Sequence, residues 1–163
     1  MKFLKVVLAA MVLSFSFNAM AARTLTDDEY MECTSEVGDG NLPTIKKYIE
    51  DGLNVDTSFL GWSPILMAAA KGQFELVKYF TSKGADVNYV HQLTKWTPFM
   101  HAAYDGNQEM AKYLADHGAD INKKMRGDVD IIRVVRDTGN TKMVDFLLGL
   151  GVKNDGCQSE KCL

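Results

Sequence analysis

Apolar residues along this chain come in short blocks of helical spacing, cut at near-regular intervals by glycine. The clearest block runs from Lys95 to Asn122, KWTPFMHAAYDGNQEMAKYLADHGADIN. Thr97 can cap a helix through its hydroxyl, and Pro98 suits the first helical position, where a missing N–H costs nothing. A short helix is predicted from Pro98, with Ala102 and Ala103 small enough for a neighbouring helix to approach and Gly106 supplying the left-handed residue that ends it. In a second helix Met110, Tyr113 and Leu114 share one face while Glu109, Lys112 and Asp116 take the other, until Gly118 terminates it. The chain then leaves through Gly-Ala-Asp-Ile-Asn toward another turn.

The block recurs. Gly-Trp-Ser-Pro-Ile-Leu-Met-Ala-Ala-Ala-Lys-Gly at 61–72, followed by Gly84-Ala85-Asp86-Val87-Asn88, is the preceding copy. First-helix glycines fall at Gly40, Gly72, Gly106 and Gly139, second-helix glycines at Gly52, Gly84, Gly118 and Gly151, and both series are spaced 32, 34 and 33 residues apart. Two independent landmarks holding one period make a repeat, and the unit resembles the ankyrin repeat, a β-turn followed by two antiparallel helices. The resemblance implies an all-α ankyrin-repeat solenoid of about four helix-turn-helix repeats with β-turn fingers. They would occupy residues 26–57, 58–90, 92–124 and 125–154 of a domain spanning 22–154, with a tail at 155–163.

The end repeats depart from the pattern. Thr26-Asp27-Asp28-Glu29 offers a hydroxyl cap and three carboxylates suited to a helix N-terminus. It predicts a helix from Asp27 to Val37 with Tyr30, Met31, Cys33 and Val37 available for packing, then a second from Leu42 to Glu50. A polar outer face fits an N-terminal capping repeat. In the fourth repeat Asp130 must act as the cap, Val135 stands where the inner repeats have alanine, and a second helix is expected over Thr141 to Leu148. Phe146, Leu147 and Leu148 then have no following repeat, and the segment from Val152 to Leu163 is expected to cover them.

Ahead of the repeats, Lys2 and Lys5 precede an apolar run from Phe3 to Phe17, and Ala19-Met20-Ala21 presents small residues where a signal peptidase reads. Residues 1–21 read as a signal peptide, with the mature chain beginning near Ala22. The run is too short to span a bilayer comfortably, and no cysteine follows the cleavage site to carry a lipid. The short, alanine-ended leader points to a bacterial periplasm, with no membrane association after cleavage. Without Lys2 and Lys5, 16 basic residues face 21 acidic ones, a balance that disfavours nucleic acid.

Export makes disulfides possible. Cys157 and Cys162 lie close enough in the tail to pair, whereas Cys33 stands several repeats away and reads as a small buried hydrophobe. No metal site is expected, since no histidine stands near the tail cysteines. The histidines are His91, His101 and His117. The family's Thr-Pro-Leu-His signature becomes Thr97-Pro98-Phe99-Met100-His101 here, one residue late, so His101 is expected as a satisfied, partly buried structural histidine. The competing reading is haem or small-ligand binding through Met100, His101 and Tyr104. No phosphate loop, His-Glu-x-x-His motif or nucleophile elbow is present, and Asp128 with Asp130 reads as helix capping rather than an acid pair, so no enzymatic activity and no cofactor are expected.

What the resemblance implies instead is a protein-binding scaffold whose turn tips and first helices line a concave face. By repeat alignment those positions are Phe59, Leu60, Trp62, Ala70 and Lys71, then Val90, Leu93, Thr94, Trp96, Tyr104 and Asp105, then Lys124 and Arg126. The set is unusually apolar and aromatic, the composition of binding hot spots. Trp62 and Trp96 hold the same repeat position and should stand side by side, with Phe59 and Leu93 beside them and Tyr104 further along; the competing reading has the indoles folded back over the turns, shielding the repeat junction. The expected function is a monomeric, non-catalytic periplasmic module that binds a partner protein, in support of a stress-related enzyme or as immunity against a periplasmic toxin.

Overall fold

The computed structural model describes residues 25–154. The leader, its cleavage point and the Cys157–Cys162 pair lie outside the described residues. Eight helices occur within them: α1 (Asp27–Asp39), α2 (Leu42–Glu50), α3 (Pro64–Ala70), α4 (Phe74–Ser82), α5 (Pro98–Tyr104), α6 (Gln108–Asp116), α7 (Ile131–Asp137) and α8 (Thr141–Gly149). Each odd helix packs against the even helix that follows it, and α1, α3, α5 and α7 pack in succession as an inner row. The all-α solenoid expected from the repeat pattern is the fold observed.

The inner row owes its close stacking to small side chains. Ala68, Ala69, Ala102 and Ala103 are at most 1% exposed, between Ile65, Leu66, Phe99, Met100, Ile131 and Ile132. The outer row buries larger groups, with Leu76, Phe80, Met110, Leu114, Met143 and Leu147 all sealed from solvent. The alanine pairs let neighbouring inner helices approach closely along that row.

Each inner helix starts on a side-chain cap. Thr26, Ser63 and Thr97 accept from the backbone N–H of Glu29, Leu66 and Met100 at 3.3, 3.4 and 3.3 Å, and Asp130 accepts from that of Arg133 at 2.8 Å. Thr26 and Glu29 complete a reciprocal capping box. Asp130 is therefore a capping group as expected, but Asp128 is not: it is an exposed turn residue at φ 59°. In α1, which runs on to Asp39, Cys33 and Val37 are buried whereas Met31 is 59% exposed, because it projects from the outer side of an end repeat. At the other end Val135 and Leu147 are fully buried, Val152 packs into the core at 4% exposure, and Leu148 stays 44% exposed.

A hydrogen-bond ladder joins the repeat ends. The side chains of Asp56, Asn88 and Asn122 accept from the backbone N–H of Asp86, Asp120 and Lys153 in the following repeat, at 2.9, 2.7 and 2.7 Å. Asn88 also donates to the Gly118 carbonyl at 2.8 Å. Asn54, Asp86 and Asp120 fold each rung locally by accepting from the backbone N–H two residues on.

Three β-turn fingers join the helix pairs, and their lengths explain the uneven repeat spacing. Closing backbone bonds link Phe59 with Trp62, His91 with Trp96, and Met125 with Val129. The segments outside these closing pairs have the same length in every repeat. The two, four and three residues held between the pairs therefore account for spacings of 32, 34 and 33. In the shortest finger Leu60 and Gly61, at φ 49° and 83°, form the tight two-residue turn whose twist suits a hairpin.

Candidate functional site

Finger and inner helix are fastened together at the residue before each cap. Trp96 precedes the Thr97 cap and packs on His101, four helical positions in, with ring centroids 4.7 Å apart. This is the staple arrangement in which a residue before the cap covers the first turn of its own helix. Trp62 holds the equivalent place in its repeat, where the fourth helical residue is Met67. Its indole also reaches His101 across the repeat boundary at 5.7 Å, so the imidazole lies between the two indoles. The tryptophans thus stand in neighbouring repeats as expected, but with a histidine inserted between them.

Around this stack runs an open groove of about 620 Å³ lined by Trp62, Met67, Ala70, Lys71, Thr94, Trp96, His101, Tyr104 and Asp105. Tyr104 is 45% exposed and meets Trp96 edge to face at 5.3 Å. The groove gathers Trp62, Ala70, Lys71, Thr94, Trp96, Tyr104 and Asp105 from the expected set. The other six residues of the set lie outside the groove. Phe59 turns its ring onto Tyr30 of the first repeat at 4.1 Å, although its backbone is bonded to Trp62 at the base of the shortest finger. Leu60 and Leu93 sit at finger tips, 80% and 73% exposed. Val90 is half-buried at the foot of its finger. Lys124 pairs with Asp130 at 3.8 Å at the junction with the fourth repeat, and exposed Arg126 donates its backbone N–H to the Thr94 carbonyl between fingers.

Sequence reasoning left Met67 and His91 out of this neighbourhood. The staple spacing from Trp62 identifies Met67. His91 opens the second finger where the others have Phe59 and Met125, and its buried ring lies 4.9 Å from Trp62. Its Nδ1 accepts from the Thr94 N–H at 3.3 Å, which leaves the proton on Nε2.

His101 differs from the satisfied structural histidine expected. Neither ring nitrogen has a protein hydrogen-bond partner among the described residues, and no buried side-chain polar atom is left unpartnered, so its nitrogens open to the groove. Burial first, then His91, hold its pKa down to about 4, and the ring is neutral at neutral pH. Nor do Met100, His101 and Tyr104 converge on one ligand. Met100 is 1% exposed in the inter-helix core, while His101 and Tyr104 face the groove. Among the described residues no cluster of three or more histidine, cysteine or acidic side chains is placed to hold a metal, and no helix is long and apolar enough to cross a membrane.

Comparison with known proteins places this architecture. A family model of ankyrin repeats, in three copies, matches residues 31–125. Among curated proteins, the ankyrin repeat, SAM and basic leucine zipper domain-containing protein 1 of Mus musculus is 35% identical over 51 residues, 31% of this chain and 11% of that protein. Its Ornithorhynchus anatinus counterpart is 32% identical over 63 residues, 38% of this chain and 13% of that protein. The chain thus matches only 11% and 13% of the length of these relatives. The chain belongs to the ankyrin-repeat family, whose members serve in general as non-catalytic scaffolds for binding other proteins.

Proposed function

We propose that this chain is an exported, periplasmic protein that binds a partner protein through the groove around Trp62 and Trp96. The observation that carries the reading is that both tryptophans of the chain stand in one open groove, half-exposed, with Tyr104 beside them. Clustered aromatic side chains in a concave patch are the usual anchors of a protein interface. The basic start, apolar run and Ala19/Ala21 pair of the leader support delivery to the periplasm with Ala22 as the new N-terminus. The protein works as a monomer and performs no chemistry on its partner.

The test is affinity capture from periplasmic extract with the mature chain and with a Trp62→Ala, Trp96→Ala double variant. Truncating central aromatic anchors costs on the order of 2 kcal/mol or more each, so capture should fall steeply while the thermal midpoint moves far less. Undiminished capture, or a variant that no longer folds at the capture temperature, would sink this assignment of the anchors.

A further inference from the structure

Four rings and one carboxylate share the groove. Trp96 and Tyr104 meet at an interplanar angle of 74°, forming two walls of a corner, with His101 and Trp62 continuing the aromatic lining. Asp105 follows Tyr104 and lines the same groove. Its carboxylate has neither a hydrogen bond nor an ion pair among the described residues. Elsewhere Glu75 pairs with Lys78 at 2.7 Å and Asp116 with Lys112 at 2.8 Å.

The place of Asp105 is also unfavourable to a negative charge. It is the C-cap residue of α5, where the helix dipole presents its negative end. Partial burial lifts its carboxyl above the ordinary range, as expected of a charge losing water without gaining a partner. The neutral His101 offers no compensating charge, and the nearest cationic side chain of the lining, Lys71, belongs to the adjoining repeat. Aromatic faces attract cations through their negative π surfaces, and the unpaired carboxylate adds directly to that attraction.

We propose that the groove receives an arginine side chain of the partner, its guanidinium stacked on Trp96 against Tyr104 and paired with Asp105. Guanidinium suits this site better than ammonium: it is planar, weakly hydrated, able to stack on an indole and to present two parallel N–H groups to a carboxylate. The inference rests on the reading of the groove as a protein-binding site.

Trp62 and Trp96 are the chain's two tryptophans, so tryptophan fluorescence, excited at the red edge where tyrosine does not absorb, reports on the groove alone. A blocked Leu-Arg-Leu tripeptide is titrated against the folded protein, alongside versions with citrulline or lysine in place of arginine. Citrulline keeps the shape and removes the charge. The arginine peptide should give a saturable change in the millimolar range, with the citrulline and lysine peptides weaker by roughly tenfold. Asp105→Asn, at an exposed position with its fold checked by circular dichroism, should reduce arginine binding to the citrulline level, and Lys71→Gln should strengthen it. Equal binding of the citrulline or lysine peptide, indifference to Asp105→Asn, or no saturable response to any peptide overturns the arginine inference. The groove reading is decided separately, by capture with the tryptophan variants.

Discussion

Trp96 and His101 are locked together at 4.7 Å, finger against helix, and the imidazole so held has no counter-charge to welcome a proton. In the unfolded chain this histidine titrates near its ordinary 6.5, and in the native groove only at about 4. Between those values the unfolded chain binds the extra proton, so stability from this site is complete above the upper value and drains away as pH falls toward the lower one. Allowing for the solvent that reaches the ring, the loss is about 2 kcal/mol. His101→Gln should abolish that part of the acid destabilisation, read as the difference between urea midpoints at neutral pH and near pH 4.

Gly106 and Gly139 both end inner helices in the left-handed region, at φ 73° and 77°, yet they differ in what a side chain would meet. A methyl group on Gly106 would lie 2.8 Å from Asn140 Nδ2, whereas one on Gly139 meets nothing within 4 Å. Asn140 caps α8 through the Met143 N–H at 3.1 Å. Gly139→Ala should cost about 1 kcal/mol for the backbone alone, and Gly106→Ala about 1 kcal/mol more for the disturbed cap. Denaturant unfolding of the two variants side by side measures the gap.

Leu60 occupies left-handed backbone at φ 49° while 80% exposed, so it gives the fold strain and almost no burial. Leu60→Asn suits the same turn and should raise stability by about 0.5–1 kcal/mol. A fall in the thermal midpoint would mean the leucine contacts something that holds the finger.

Asn88 makes two bonds across a repeat boundary, to the Asp120 N–H and the Gly118 carbonyl, where Asn122 makes one to the Lys153 N–H. Asn88→Ala should cost about 1–2 kcal/mol and Asn122→Ala about half as much. Asn88→Asp keeps the acceptor and should fall between wild type and Asn88→Ala in urea unfolding.

Cys33 is 6% exposed in the core, and burial pushes its thiol up to about 11. Alkylation mapped to Cys33 should therefore be slow in the folded protein and rapid in urea. Ready modification of the native chain would mean that the first repeat opens locally.

Glycine spacing, caps and the alanine pairs made the helices legible because they are local signals that repeat. Asp130 could be assigned as a cap from its place before an apolar run, as could the burial of Cys33. The groove was half legible. Equivalent positions located Trp62, Trp96 and Tyr104, but repeat alignment treats all fingers as one length and cannot tell which way a ring turns at their bases. That is why Phe59 was expected beside the tryptophans when it stacks on Tyr30, and why His91 was overlooked. Lys124 was expected on the concave face because the charge of Asp130, brought near only by the fold, is invisible in linear order.

The unequal fingers carry one further consequence. Since the three repeats that follow a finger keep seven-residue inner and nine-residue outer helices while each hairpin sets its own length, insertions and deletions in the fingers are register-neutral. The reach of a single loop can change while every helix keeps its register, although in the second finger Thr94 also holds the buried His91 ring through Nδ1. Lengthening or shortening the segment between His91 and Trp96 would accordingly move the finger tip alone, provided a residue in the place of Thr94 still meets the His91 ring.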